Sequence, residues 1–326
     1  MVVERKDLFV GGIEAGGTKF VCAVGRAPED VCRPENRTEF PTGDNPGQLI
    51  SRVIDWFAEK QSREPLSAIG IASFGPVDLE KGSPRYGHIT STPKPGWANT
   101  DLVGPIQRGL GNIPVGFDTD VNGAGLGEYF WGNASGLEDF VYITIGTGIG
   151  AGGMARGQLL HGLVHPEMGH LRLPRVAGDE FPGVCPYHKD CWEGLCSGPA
   201  ILKRAGTPAE KIPPDHPAWK YETQYIGYAI ANIVCTLSPR RVIIGGSVRK
   251  AGQLGEEAFF HAVREHVQTT LNNYVVSPSL LGDGVHRYIV PPLLGDNAGV
   301  CGALALGQLE CSIAEECREK VQLINY

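Results

Sequence analysis

The sequence predicts an α/β protein whose architecture is internally duplicated. Three observations point there. Strand-like and helix-like segments alternate along the chain. One pattern of strand, glycine turn and second strand occurs twice, at Phe9–Gly25 and at Phe140–Arg156. Of the 326 residues, 45 are glycine, about twice the usual share, which suits sites lined by backbone. A chain of this length exceeds one typical core, so two domains or one large α/β domain is the expectation. The repeat alone leaves two unrelated β-hairpins open as a reading.

In the first hairpin a strand runs into a tight turn at Gly16-Gly17, followed by Thr18, Lys19 and a second strand. Glycine tolerates positive φ and carries no Cβ, so such a turn can aim several backbone N–H groups at one anion. Gln48–Gln61 places Leu49, Ile50, Val53, Ile54 and Phe57 at helical spacing, predicting a helix with one buried stripe. Leu66–Phe74 reads as a buried strand between Glu64-Pro65 and Gly75-Pro76. Tyr86–Trp97 is a loop punctuated by Pro and Gly. Its hydroxyls and rings would suit a sugar, although a plain surface loop is the commoner use of such a stretch. Thr100–Leu110 is expected to be helical, and Val115–Asp118 to be a short strand. Thr119-Asp120 then hands over to a helix over Asn122–Phe130, at the expected border between a first lobe (1–118) and a second (119–326). A carboxylate at a strand end beside a helix N-terminus is well placed for chemistry, and an ordinary N-cap is the other reading of Asp120.

The second hairpin carries Gly146, Thr147, Gly148, Gly150, Gly152 and Gly153, with Gly148 opposite Gly17 in the repeat. Two such turns could grip a polyphosphate. Next come His165-Pro-Glu167-Met-Gly-His170 and Cys185-Pro-Tyr-His188-Lys-Asp-Cys191-Trp-Glu193. Cys-x₂-His-x₂-Cys with His170 upstream supplies four ligands of the types structural zinc prefers, with Cys196 as an alternative ligand. Ser197 is expected to cap a helix with Pro199 in its first turn. Trp219–Leu237 reads as a long helix, and Arg241–Val248 as a strand with a Gly245-Gly246 turn. Phe259–Leu271 reads as a helix and Arg287–Val290 as a strand. Asn297–Leu309 reads as a small-residue helix that packs closely on another element, the first lobe being the candidate.

Composition excludes several classes. Net charge is −7 without any Lys/Arg cluster, which argues against a basic nucleic-acid face. No apolar run approaches the roughly 20 residues that cross a bilayer, and the charged Met1–Lys6 is no signal sequence. Nine scattered cysteines fit a reducing cytoplasm. Cys22, Cys32, Cys235, Cys301, Cys311 and Cys317 read as small core or surface residues.

Paired glycine turns, a third Gly-Gly turn and an acidic residue at the lobe border point to phosphoryl transfer from a nucleotide. Asp120 is the candidate base for an acceptor hydroxyl. Glu14 is a candidate holder of Mg²⁺ through water, and Thr18, Lys19 and Thr147 are candidate phosphate donors. A solvated pair at a turn is the bland reading of Glu14 and Lys19.

On six ordered motifs the chain resembles the ROK family of sugar kinases, specifically its fructokinase-like branch, over nearly its whole length. They are Gly11–Lys19 (G-G-I-E-A-G-G-T-K), Gly87–Trp97 (G-H-I-T-S-T-P-K-P-G-W), Asp118–Ala124 (D-T-D-V-N-G-A), Ile145–Gly152 (I-G-T-G-I-G-A-G), His165–His170 (H-P-E-M-G-H) and Ile243–Val248 (I-I-G-G-S-V). The resemblance implies an actin-like ATPase fold, two ribonuclease-H-like lobes with a cleft between them that closes on ATP-Mg²⁺ and sugar. It implies Asp120 as the base, sugar contacts from Thr119, Asp120, Glu167, His170 and Glu193, and zinc on His170, Cys185, His188 and Cys191. His170 would serve metal and sugar through different nitrogens. A homodimer is what the family suggests. Three departures stand out: Glu14 replaces the usual Asp, Thr119 the usual Asn, and His188 a cysteine of the zinc pattern.

The expected activity is phosphorylation of the 6-hydroxyl of a hexose, fructose first, with mannose or glucose behind it and an N-acetylated hexosamine as a weaker option. A sugar-responsive repressor of the same family would carry an N-terminal helix-turn-helix domain, for which a first hairpin starting near Phe9 leaves no room. An actin- or chaperone-like ATPase is disfavoured by the zinc loop and the sugar motif.

Overall fold

The structure, a computed structural model, describes residues 8–324, with side chains to residue 312. Met1–Lys6 and the Cys317 side chain lie outside the described residues. The chain forms two compact units. One comprises Met1–Ser135, His161–His165 and Leu293–Tyr326; the other comprises Gly136–Leu160 and Pro166–Pro292.

In the first unit β1 (Val10–Ala15), β2 (Lys19–Gly25) and β3 (Arg37–Pro41) form an antiparallel meander, with the single turn α1 (Pro28–Val31) between the last two. Helix α2 (Pro46–Arg63) begins on Asn45, whose side chain accepts from the Gln48 N–H, and buries Leu49, Ile50, Val53 and Phe57 as their spacing predicts. Strand β4 (Ile69–Ser73) is buried along its whole length beside β1. A two-stranded ribbon of β5 (His88–Ile89) and β6 (Thr100–Asp101) follows, so the expected helix from Thr100 is shorter: α3 covers Val103–Gly109. The Tyr86–Trp97 stretch is no plain surface loop either. Trp97 is fully buried against Phe20 and Phe74, ring centroids 5.3 and 5.5 Å away, and its indole N–H donates to the Gly43 carbonyl. A ring of that area gains more from the core than from a solvent-facing sugar. Strand β7 (Val115–Thr119) completes the sheet, in the order β3-β2-β1-β4-β7, and leads directly into α4 (Asp120–Trp131).

The second unit repeats this plan. Strands β8 (Phe140–Ile145), β9 (Ile149–Ala155) and β10 (Gln158–Leu159) form the antiparallel part. Short helices α5 (Trp192–Cys196) and α6 (Gly198–Ala205) and the long α7 (Pro217–Leu237) precede β11 (Val242–Gly245). After α8 (Glu256–Leu271) comes α9 (Val285–Tyr288), a turn of helix where a strand was expected, and β12 (Ile289–Val290) keeps only the end of that strand. The order is β10-β9-β8-β11-β12. In both sheets the first three strands are antiparallel and the next two run parallel to the central one.

Helix α10 (Ala298–Ile324) returns to the first unit, as its small residues suggest. A Cβ on Gly12 would stand 2.8 Å from the Leu304 backbone nitrogen, and one on Gly127 at 2.8 Å from the Ala298 carbonyl. Strand β1 and helix α4 therefore meet α10 backbone to backbone. This contact corrects the border placed at residue 119: α4 belongs to the first unit because α10 packs on it. The end of α4 is fastened too, since the buried Glu128 carboxylate accepts from the N–H groups of Asn133, Leu293 and Leu294 at 2.7, 3.0 and 2.8 Å. No helix among the described residues is long and apolar enough to cross a membrane.

Candidate active site

The first unit carries the acidic candidates. Its hairpin turn exposes Gly17, Thr18 and Lys19, and Thr42 braces it through its hydroxyl to the Gly16 carbonyl (2.7 Å) and its N–H to the Thr18 carbonyl (3.0 Å). The Lys19 ammonium sits on Glu39 of β3 at 2.8 Å. The solvated Glu14–Lys19 pair at a turn is therefore not formed. Glu14 is instead partly buried, with its carboxyl against Gly299 at the start of α10. Burial, then the nearby Asp120 charge, raise its pKa to about 7, against the weaker pull of Lys19 and Arg37.

Asp120 is the first residue of α4, and it is not the N-cap. Thr119 holds that position, its hydroxyl oxygen accepting from the Asn122 N–H at 3.1 Å. The Thr119 hydroxyl accepts there and retains one O–H to donate. Asp120 Oδ1 accepts from the Val121 N–H at 2.9 Å, and burial raises its pKa to about 6. Two neighbouring carboxylates pushed upward in one unit form a set of hard oxygen donors with surplus negative charge. That chemistry fits a hydrated Mg²⁺.

Asp118 stands in the same motif, and the sequence gives it no signal beyond a place at the end of a short strand. It is buried, and its two oxygens receive Thr119 N–H, Asn122 Nδ2 and His161 Nε2 at 2.7, 2.8 and 2.8 Å. His161 lies 43 residues further along the chain, and no local pattern announces the pairing.

The second unit brings together most of the glycine candidates. The turn between β8 and β9 is confined to Gly146, Thr147 and Gly148, closed by the Gly146 N–H to the Gly148 carbonyl at 2.9 Å, while Gly150, Gly152 and Gly153 lie within β9. Gly246, with φ of +83°, packs against the end of β8, so the Gly245-Gly246 turn stands beside the hairpin. The Gly198 N–H at the start of α6 donates to the Gly146 carbonyl at 2.7 Å, bringing a helix N-terminus to the same place. Ser197 flanks that helix but makes no side-chain cap. Converging glycine turns and a helix N-terminus are what an anionic phosphate requires.

Glu193 joins this cluster. Its Oε2 accepts from the Ile149 N–H at 2.9 Å, and a Cβ on Gly148 would come within 2.7 Å of the same oxygen. Glycine at position 148 thus serves the carboxylate as well as the turn. The Met168–His170 turn packs on β9 at Gly169, which ties the His165–His170 motif to the hairpin, and Glu167 is the residue preceding that turn.

The metal candidates also converge. Ligand atoms of His170, Cys185, His188 and Cys191 all lie within 4.8 Å of one another. His170 Nδ1 is 3.5 Å from Cys191 Sγ and 3.8 Å from Cys185 Sγ, and His188 Nδ1 is 3.8 Å from Cys185 Sγ. Bonds of about 2.0–2.3 Å from a central zinc require edges of this length, so the set fits a tetrahedral S₂N₂ ion. Cys196 is not part of it; its thiol faces the Glu222 carbonyl at 3.9 Å.

A family model described as "ROK family" matches residues 10–310. The chain is 48% identical over 297 residues to "Putative fructokinase" of Bacillus subtilis (strain 168), covering 91% of this chain and 94% of that protein. It is 42% identical over 301 residues to "Fructokinase" of Pediococcus pentosaceus, covering 92% and 98%. The solved ROK hexokinase from Thermus thermophilus superposes with a TM-score of 0.70 at 26% identity, covering 94% of this chain and 99% of that one. With these neighbours the duplicated sheets are those of the actin-like ATPase fold.

Proposed function

The chain belongs to the ROK family, and from that premise we propose that it is an ATP-dependent fructokinase, transferring the γ-phosphoryl group to the 6-hydroxyl of fructose and, less efficiently, of mannose or glucose. The observation that carries the reading is Asp120, partly buried at the β7–α4 junction with its pKa held near 6. A base with that pKa is ionised at neutral pH and still basic enough to receive a hydroxyl proton late in the transfer.

In this reading the hydroxyl oxygen attacks the γ-phosphorus, the bond to the ADP oxygen breaks, and the hydroxyl proton passes to Asp120. The turns at Gly16-Gly17, Gly146-Thr147-Gly148 and Gly245-Gly246, with the side chains of Thr18 and Lys19, hold the phosphates; the Gly16 and Gly146 N–H groups close their own turns on the Lys19 and Gly148 carbonyls, so the donors come from the residues after them. Thr119, Glu167, His170 and Glu193 hold the sugar hydroxyls. Lys19 must leave Glu39, an exchange of one exposed partner for another that costs little. Glu14 would hold Mg²⁺ through its water, and the ion supplies charge neutralisation to the phosphates when bound. His170, Cys185, His188 and Cys191 would hold zinc, which fixes the His170 ring so that its other nitrogen addresses the sugar. A cytoplasmic homodimer completes the reading.

A panel of fructose, mannose, glucose and an N-acetylhexosamine in a coupled ADP-release assay tests it. Fructose is expected to give the highest kcat/KM. Absence of turnover with every hexose, by protein shown to carry zinc and supplied with Mg²⁺, would reject the kinase reading.

The pH dependence has a definite sign. The pKa of Asp120 is raised, so the proton-accepting form disappears as pH falls through about 6. A cation bound nearby favours the ionised form and moves that limb lower, never higher. The kcat/KM for fructose is therefore expected to be level from neutrality down to about 6, then to lose about tenfold per unit. An acid limb centred above 7 would exclude Asp120 as the group responsible.

A further inference from the structure

The buried carboxylate of Asp118 lies two residues before the base and holds three donors from three places. On Oδ1, Thr119 N–H and Asn122 Nδ2 converge at 2.7 and 2.8 Å; on Oδ2, His161 Nε2 arrives at 2.8 Å. The first two fix the turn from β7 into α4, because Thr119 is the cap and Asp120 the first helical residue. The third reaches outside the motif. Residues His161–His165 are counted with the first unit, although the chain on both sides of them belongs to the second.

This segment is fastened at its ends. His161 is held by Asp118, and the buried His165 accepts the Val77 N–H on Nε2 at 3.1 Å. Between them a tight turn, closed by the Gly162 N–H to the Val164 carbonyl at 2.8 Å, leaves Leu163 and Val164 exposed. Apolar burial of the tip therefore does not hold the segment; its histidines do. Pro166-Glu167 follows at once. The hydrogen bond to Asp118 raises the His161 pKa against the opposing effect of burial, as a charge-assisted bond to a carboxylate does.

We propose that Asp118 and His161 form a positioning pair for phosphoryl transfer. One carboxylate oxygen sets the turn that presents Asp120. The other, through His161, fixes the start of the segment that leads into Glu167. The inference rests on the kinase reading above. Neither residue needs to touch the reacting atoms, and their effect is on the placement of residues that do.

Steady-state kinetics of His161→Ala and His161→Gln test the pair, since glutamine keeps an N–H donor and alanine does not. His161→Ala is expected to lower kcat about tenfold and to raise the hexose KM severalfold, with the ATP KM unchanged. His161→Gln is expected to recover kcat to within about threefold of wild type. Wild-type kinetics in His161→Ala, or a glutamine variant as defective as the alanine one, would overturn the role. NMR titration of the His161 imidazole reads the pair without turnover. A pKa above the ordinary histidine value that drops in Asp118→Asn supports it, and an ordinary value in the wild-type protein overturns it. Wild-type protein inert toward every hexose would reject the kinase reading and the role in transfer together, while the titration still decides whether the pair exists.

Discussion

Asp120→Asn is expected to lower kcat by about 10²–10⁴-fold and to leave ATP binding within about twofold of wild type. The substitution keeps the shape of the side chain and the acceptor oxygen that receives the Val121 N–H, so α4 should start unchanged. What it removes is the proton acceptor and one of the two neighbouring negative charges. Loss of that charge also lowers the Glu14 pKa, while burial, the larger cause, keeps it raised. Burial raises the Asp120 pKa, so the folded protein carries an ionised group that it would hold more comfortably protonated. The sign follows: stability associated with the protonated form is lost as pH rises through about 6. The asparagine variant should therefore melt higher than wild type at pH 8 and the same as wild type at pH 4. Rapid quench with labelled ATP measures the first effect and calorimetry the second. An asparagine variant with more than a tenth of wild-type kcat would remove Asp120 from the role of base.

Cys191→Ala carries the second large effect. Cys191 is fully buried, and its sulfur is 3.5 Å from His170 Nδ1, with Cys185 and His188 completing the set. Elemental analysis is expected to find about one zinc per chain in the wild type and almost none in the variant. Leu173 and Val176 anchor the middle of the loop in the core, but its ends at His170 and Cys191 meet through the ligand set, so loss of the ion should release the His170 ring. The kcat/KM for fructose should then drop at least about a hundredfold, with a smaller change in the ATP KM. Cys196→Ala is the control: its thiol faces the Glu222 carbonyl and not the ligand set, so zinc content should be unchanged. Loss of zinc from Cys196→Ala with retention in Cys191→Ala would reverse the ligand assignment.

Much of this arrangement was legible in the sequence because its signals are local. Each hairpin announces itself by strand residues running into glycines, and the candidate metal set by Cys and His at ligand spacing within one loop. What escaped depends on contacts between distant residues. Trp97, set among prolines, glycines and hydroxyls, reads as surface, yet Phe20 and Phe74 enclose it. Asp120 could have been the cap until Thr119 took the Asn122 N–H. Nothing near Lys19 in the sequence names Glu39, but the β2–β3 register makes them diagonal neighbours, with Lys19 opposite Pro41 and Glu39 opposite Val21. The same holds for His161 and Asp118. Even α4 was assigned to the wrong side of the lobe border, because its owner is decided by a helix that begins at Ala298.

The reliance of β1 and α4 on α10 shapes the order in which the molecule can fold on the ribosome. The polypeptide is made from one end, and domains commonly fold in the order of their appearance. Here the nested unit, closed by Pro292, is complete before α10 has been made, while the unit that begins the chain still lacks the helix on which Gly12 and Gly127 pack. Strand β1 and helix α4 thus lack a packing partner until α10 is present. During synthesis the second unit has its candidate metal ligands and its glycine turns in hand while β1, which carries Glu14, and α4, which carries Asp120, await the helix that backs them.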